Sequence, residues 1–92
     1  MKQFSYQIKD PNGMHARPAG ALATFAKRFA SDIRITHGDK EADAKRLLSL
    51  MGLGATQGST LIFSITGEDE ANAAKELADF CRDQLKGSTH PL

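Results

Sequence analysis

Three stretches of this chain place apolar residues at every second position, and that spacing limits the folds it can adopt. The stretches are residues 4–8, 31–36 and 61–66, as the alternation of Phe4 and Tyr6 with polar residues illustrates. Alternate residues of a strand point to opposite faces, so each stretch predicts a strand with one buried face. Segments of helical spacing separate these strands, and strands interleaved this closely with helices exclude a helical bundle.

Two longer segments have the apolar spacing of amphipathic helices. The first has its predicted buried stripe at Leu22, Phe25, Ala26 and Phe29, and the last has its stripe at Ala74, Leu77, Ala78, Cys81 and Leu85. Residues 41–44 predict a short third strand, and residues 45–51 predict a short helix. The resulting order is βαββαβα. Its simplest packing is an α+β fold in which one four-stranded sheet carries the helices on one face.

The length of the chain, 92 residues, is that of one domain. Gly87 follows the last helical segment, and Gly is the residue that most often ends a helix. We therefore assign residues 1–87 to the domain and expect residues 88–92 to form a disordered tail.

Charge and composition exclude several classes of protein. Twelve Lys and Arg against 11 Asp and Glu give a net charge of +1, so no strong field points to nucleic acid or to a lipid surface. The single cysteine, Cys81, excludes an internal disulfide. The N-terminus lacks the apolar core of a signal peptide, and no stretch is long enough to cross a bilayer. We therefore expect a cytoplasmic protein.

Nothing in the sequence predicts a metal or a cofactor. His37 falls in a predicted hairpin turn and His90 in the tail, so both are expected to be solvated, and with Cys81 on a buried stripe no metal-ligand spacing emerges. The glycines of residues 52–58 lack the preceding strand, the following helix and the Lys-Ser/Thr pair of a nucleotide-binding loop. We interpret that run as a flexible connection.

The chemistry of the chain is concentrated in residues 11–20. Pro11-Asn12-Gly13 is typical of a turn, and Pro18 suits the first turn of a helix. His15 therefore lies where the free N–H groups and the positive end of a helix dipole gather, which favours anions. Arg17 is disfavoured there by roughly 0.3–1 kcal/mol, which suggests function, and its guanidinium suits phosphate oxygens. An imidazole in this position indicates a nucleophile that accepts and releases a phosphoryl group.

The motif Met14-His15-Ala16-Arg17-Pro18-Ala19 resembles the active-site signature of the HPr family, the histidine-containing phosphocarriers of the bacterial sugar phosphotransferase system. The resemblance covers about residues 2–86. It includes three further landmarks, which are Ala44-Lys45, the run Leu53-Gly54 with Gln57-Gly58, and Gly67-Glu68-Asp69-Glu70.

This resemblance implies an open-faced sandwich with an antiparallel sheet in the order 1-4-2-3. It implies that a ring nitrogen of His15, Nδ1 in the family, accepts the phosphoryl group, and that Ala16 and Arg17 bind the phosphate. Enzyme I, a phosphoenolpyruvate-dependent histidine kinase, would be the donor, and histidines of sugar-permease IIA domains would be the acceptors. The protein would be a monomeric carrier without a cofactor and without turnover of its own.

The short helix is expected to contribute to the docking surface. Leu47, Leu48, Leu50 and Met51 are more apolar residues than one core face needs, so we expect a split with Leu48 and Met51 exposed. In the family this helix and the start of the first one dock the partners. The implied partner-binding residues are Gly20, Thr24, Lys27, Arg46, Leu47, Leu48, Met51 and Thr56.

One position departs from the family pattern. In many relatives a regulatory serine follows the Ala-Lys pair, but here Arg46 occupies that place, and Ser49 is not the matching position. A serine-phosphorylation switch therefore cannot operate at residue 46. The departure leaves open an alternative, a regulatory HPr paralogue whose phosphorylation state is read by a transcription factor or an enzyme.

Overall fold

A computed structural model describes all 92 residues as a five-stranded sheet with three helices. In chain order the elements are β1 (Lys2–Gln7), α1 (Ala16–Ala26), β2 (Asp32–His37), β3 (Lys40–Asp43), α2 (Leu47–Met51), β4 (Thr60–Thr66), α3 (Glu70–Asp83) and β5 (Ser88–Pro91). None of the helices has the length and apolar character required to span a membrane.

The sheet has the predicted order with one strand added. All its pairings are antiparallel, and the order is β3-β2-β4-β1-β5, so the expected order 1-4-2-3 is confirmed. The alternation seen in the sequence defines the buried face, because the residues of one parity are buried in each central strand. Phe4 and Phe63 lie directly opposite each other on that face, and their rings stack with centroids 4.4 Å apart. The buried residues of the three long strands are Phe4, Tyr6, Ile33, Ile35, Leu61, Phe63 and Ile65.

The prediction of a disordered tail was wrong, because Ser88–Pro91 form β5, which pairs with the outer edge of β1. These residues show no apolar alternation, since the strand is held by backbone pairing at an edge. α3 ends at Asp83, four residues before Gly87, but the Gly87 N–H still donates to the carbonyl of Cys81 in the last turn at 3.0 Å. Gly87 also packs against Tyr6 so closely that a Cβ would clash with the ring. Lys86 adopts the left-handed conformation, φ 60°, that turns the chain back along the sheet.

The helices bury only part of the predicted stripes: in the last one Leu77 and Cys81 are buried, whereas Ala74, Ala78 and Leu85 are half-buried at the rim of the core. α1 ends at Ala26, earlier than its predicted stripe, although Phe29 is still buried beyond its end. Phe25 is only half-buried, because its ring stacks on Phe80 of α3 at the rim of the core. Cys81 is fully buried, and this burial raises the pKa of its thiol. The residues buried by α1 are Pro18, Ala19, Leu22, Ala23 and Ala26, and those buried by α3 are Ala73, Leu77 and Cys81.

His37 is not a solvated turn residue as expected. It is the last residue of β2 and is half-buried, with Nδ1 2.8 Å from the carbonyl oxygen of Leu53. Because a carbonyl only accepts, Nδ1 carries the proton. This bond ties the end of β2 to the connection that precedes β4. His90, placed in the tail by the sequence, lies exposed in β5.

Candidate functional site

The turn that carries His15 is anchored on both sides. Within it, the Asn12 N–H donates to Asp10 Oδ1 at 2.8 Å and the Gly13 N–H donates to the Asp10 carbonyl at 3.0 Å. Gly13 has φ 68°, and a Cβ there would lie 2.5 Å from the Ala55 carbonyl oxygen, so glycine is required. The Met14 N–H donates to that same oxygen at 3.1 Å. The connection before β4 therefore packs directly on the turn.

His15 is the N-cap residue of α1 but does not cap it. Its backbone is extended, and its side chain makes no capping hydrogen bond. The N–H groups of Ala16 and Arg17 have no acceptor in the protein, and Pro18 has no N–H to satisfy. No acidic residue lies in the first turn. The helix therefore begins with two free donors and the positive end of its dipole beside the imidazole, an arrangement that attracts an anion.

The His15 ring is held by Asp10. The ring is about one-third exposed, with a side-chain exposure of 36%, and Nε2 lies 3.3 Å from Asp10 Oδ2. The Asn12 N–H and then the His15 side chain hold the pKa of Asp10 below its usual range. An ionised carboxylate only accepts hydrogen bonds, so in the neutral imidazole the proton lies on Nε2. Nδ1 is then left with the free lone pair.

The Arg17 side chain lies on the surface and forms no hydrogen bond or ion pair within the chain. It borders a groove of about 510 Å³ between the turn and the C-terminal end of α3. Lys9 and Lys86 line the same groove, and Phe80 and Leu85 contribute apolar wall. The guanidinium is therefore free to meet an anion beside His15.

Sequence reasoning missed the contact of Asp10 with His15, and it missed Lys9 and Lys86 in the groove that Arg17 borders. The run Asp-Pro-Asn-Gly could have identified an Asp10 that accepts from its own turn, since Asp commonly bonds the backbone two residues on. The contact of Asp10 with the imidazole of His15, five residues further on, forms only when the turn is folded. Lys86 reaches the groove beside Arg17 only because α3 packs against β1. No local sequence pattern encodes that contact.

The predicted partner-binding residues are accessible, and two of the elements that carry them meet. A Cβ on Gly20 of α1 would lie 4.0 Å from Leu47 Cδ1, so α1 and α2 touch there. Leu50 is buried, whereas Leu47, Leu48 and Met51 are 39, 79 and 40% exposed. The expected split of the short helix therefore occurs, with Leu47 also on the outside. Gly20 is half-buried, and the remaining members, Thr24, Lys27, Arg46 and Thr56, are exposed.

Arg46 and Thr56 differ from the others in their backbone setting. Arg46 is the N-cap residue of α2, and its Nε lies 4.0 Å from Asp43 Oδ2. Thr56 follows Ala55 in the connection that packs on Gly13, and its N–H donates to Ser59 Oγ at 3.0 Å. Thr56 is thus brought to the turn of His15, whereas Arg46 lies at the start of the exposed helix.

Known proteins resemble this chain in both sequence and fold. Residues 2–83 match the family model described as "PTS HPr component phosphorylation site". The phosphocarrier protein HPr of Buchnera aphidicola subsp. Baizongia pistaciae is 44% identical over 87% of this chain and 94% of the relative. HPr of Haemophilus influenzae is 47% identical over 77% of this chain and 84% of the relative. A crystal structure of HPr from Thermoanaerobacter tengcongensis superposes with a TM-score of 0.86 at 35% identity, covering 94% of this chain and 97% of that one. This chain therefore belongs to the HPr family of phosphocarriers of the phosphotransferase system.

Proposed function

We propose that the protein is a cytoplasmic carrier that accepts a phosphoryl group on His15 from phosphorylated enzyme I and passes it to a histidine of sugar-permease IIA domains. Family membership supports the carrier role. The observation that carries the assignment to His15 is the uncapped start of α1, where two free N–H groups and the unpaired Arg17 surround an accessible imidazole. The protein turns over nothing alone, because it is both acceptor and donor.

The contact with Asp10 supports Nδ1 as the reacting nitrogen. With the proton on Nε2, the Nδ1 lone pair attacks phosphorus while the bond from phosphorus to the donor nitrogen breaks. The donor nitrogen keeps that bonding pair. The ring of His15 gains positive charge and keeps its Nε2 proton, which the Asp10 carboxylate can stabilise at 3.3 Å. Transfer to the acceptor reverses these steps, so neither direction requires a separate base.

The free N–H groups at the start of α1 can donate hydrogen bonds to the phosphate oxygens. The N–H groups of Ala16 and Arg17 are held by the helix and need little rearrangement as charge develops on the transferring group, and the unpaired Arg17 guanidinium can move onto the same oxygens. The site must also release the group to a second protein. An open position on the surface meets that requirement, because donor and acceptor each need access to the same ring.

The apolar surface of α2 supports docking of both partners. Leu47, Leu48 and Met51 expose apolar area next to α1, and Lys27 and Arg46 add positive charge at its rim. We propose that enzyme I and IIA domains bind here in turn, with Gly20, Thr24 and Thr56 completing the surface. A monomer is the state that leaves this face uncovered.

Mass spectrometry after incubation with phosphoenolpyruvate and enzyme I tests the assignment of His15. We expect the wild-type chain to gain one phosphate and His15→Ala to gain none. His90→Ala is the matched control, since His90 is exposed and lies on β5, and it should gain phosphate at the wild-type rate. Normal uptake by His15→Ala would move the carrier site elsewhere. Acceptor assays with sugar-specific and regulatory IIA domains then separate transport from the regulatory alternative.

A further inference from the structure

The last five residues lie along β1 as an additional edge strand. Their register pairs Phe4 with Pro91 and Tyr6 with Thr89, and the Leu92 N–H donates to the Gln3 carbonyl at 3.2 Å. Opposed residues in an antiparallel pair alternate between hydrogen-bonded and non-bonded pairs. Since Gln3 is bonded to Leu92, the bonded pairs are those of the odd-numbered residues of β1.

The odd-numbered residues of β1 therefore face β5, and the even-numbered ones face β4. The Ile8 N–H, which donates to the Ser59 carbonyl at 2.9 Å, continues the β4 side of this pattern. Without β5, the N–H and C=O groups of Gln3, Ser5 and Gln7 would form a free sheet edge. Such a row of unpaired groups is a template for another strand.

The outer edge of β5 is a poor template. By the same alternation, the backbone groups of Thr89 and Pro91 point away from β1, and Pro91 has no N–H to offer. Only Thr89 presents a full donor and acceptor pair outward. A strand of four residues that ends in proline closes the sheet against further pairing.

The attachment of β5 is weak compared with that of the central strands. Its residues are half-buried or exposed, and none belongs to the hydrophobic core. Its position depends on the bonds to β1 and on the close packing of Gly87 on Tyr6. Segments with few apolar contacts open at low free-energy cost.

We propose that the outer edge of β1 is an association surface for a second copy of this chain, and that residues 88–92 cover it and keep the protein monomeric. The edge is self-complementary about Ser5. A two-fold axis there pairs Gln3 of one copy with Gln7 of the other and Ser5 with Ser5, which makes a closed, isologous dimer. The three side chains concerned are uncharged, so no like charges oppose.

Two prolines placed in β5 test this proposal in the full-length chain. Ser88→Pro with His90→Pro removes two of the three N–H donors that face β1 and leaves only that of Leu92. Thr89→Pro is the matched control, because its N–H points outward and contributes nothing to the pairing. We expect the apparent mass of the double variant to rise towards twofold with concentration in sedimentation experiments, while wild type and Thr89→Pro remain monomeric.

Amide hydrogen exchange locates the interface. In dilute double variant, the N–H groups of Ser5 and Gln7 should lose protection, whereas those of Phe4 and Tyr6 should keep it through β4. In concentrated samples the protection of Ser5 and Gln7 should return as the dimer forms, and the Gln3 N–H, which has no acceptor in the monomer, should gain protection. Retained protection of Ser5 and Gln7 at dilution, a monomer at every concentration, or a dimer in which these amides stay unprotected would each overturn the proposal.

A further substitution tests the two-fold axis. Ser5→Lys in the double variant places two positive charges directly opposite each other across the axis, so the dimer should dissociate at low salt and partly re-form at high salt. A dimer that is indifferent to this change uses another surface and contradicts the proposal. All of these measurements are independent of phosphoryl transfer.

Discussion

The starts of α1 and α3 differ in charge and in what their side chains bond, although neither N-cap side chain makes a capping hydrogen bond. At α3, Asp69 accepts hydrogen bonds from the N–H groups of Ala30 and Ser31 and from the Ser31 hydroxyl, and Glu70 accepts one from the Gly67 N–H at 3.1 Å. At α1 the first turn has no acid, no cap and a cation in Arg17. The acids at the start of α3 thus tie this helix to neighbouring backbone, whereas the start of α1 carries no acid and leaves its N–H groups to an anion.

The charged groups at the two helix starts also differ in whether the protein supplies them with partners. The Ser31 hydroxyl and the Ala30 N–H hold the pKa of Asp69 below its usual range, and the N-terminal amine, whose nitrogen lies 2.8 Å from Glu70 Oε2, lowers the pKa of Glu70. Both carboxylates are therefore stabilised by groups of the protein itself. Arg17 has no such partner. A helix start that local rules disfavour, beside one that satisfies them, marks the functional site.

Removal of the Arg17 side chain should give the largest effect. We expect Arg17→Ala to slow single-turnover transfer to and from His15 by about 100-fold, because the guanidinium stabilises charge on the transferring group. Its unfolding temperature should match that of wild type, since the side chain is exposed and unpaired. Arg34→Ala, on the exposed face of β2, is the control and should transfer normally. Unchanged rates in both directions would reduce Arg17 to a solvated residue.

A change on α2 tests docking separately from chemistry. Leu48→Ser should raise the KM for phosphorylation by enzyme I about tenfold, a loss of roughly 1.4 kcal/mol, while kcat stays the same. Stability should not change, since Leu48 is 79% exposed. Leu92→Ser removes a similarly exposed leucine, at 69%, outside the proposed docking surface, and should leave KM unchanged. Equal effects of the two substitutions would argue against a docking surface on α2.

The start of α3 should show the opposite outcome. Ser31 is buried, and its hydroxyl bonds Asp69, so Ser31→Ala should cost about 1 kcal/mol in the free energy of unfolding. Transfer at His15 should be unaffected. Ser64→Ala, which loses an exposed bond from Gln3, should cost less. Denaturant unfolding and transfer assays on the same samples provide both readouts. A slowed transfer in Ser31→Ala would show that the two helix starts are coupled.

The sequence predicted the elements whose side chains decide their structure. The three strands with buried faces and the two long helices follow from periodicity, and the order of the sheet followed from the family resemblance. β5 was missed because backbone pairing, not side-chain pattern, places Ser88–Pro91 on β1. The Ser31–Asp69 contact joins residues 38 positions apart, so no local rule could supply it.

The site shows the same limit. His15 and Arg17 were identified because turn and helix-start signals are local. The hydrogen bond between Asp10 and the imidazole of His15 depends on the packing of the turn against Ala55. That packing is a tertiary contact, which local signals do not predict. Of the apolar residues in the short helix, Leu50 alone is buried, and a five-residue helix is too short for its periodicity to have singled that residue out.

The start of α2, like that of α1, has no capping bond and no acid in its first turn, and substitution of its N-cap residue Arg46 should have the smallest effect. Arg46 is exposed, at 77% for its side chain, and its only ion pair, with Asp43 at 4.0 Å, is long. Such a charge at the rim of a docking surface acts mainly on the association rate through its field. We expect Arg46→Ala to slow association with enzyme I about twofold in stopped-flow measurements at low salt, with unchanged dissociation and unfolding free energy. Because salt screens exposed charges, the difference should vanish at high ionic strength. A deficit that persists in high salt would instead mean that Arg46 makes a close contact with the partner, as Arg17 is proposed to do with phosphate.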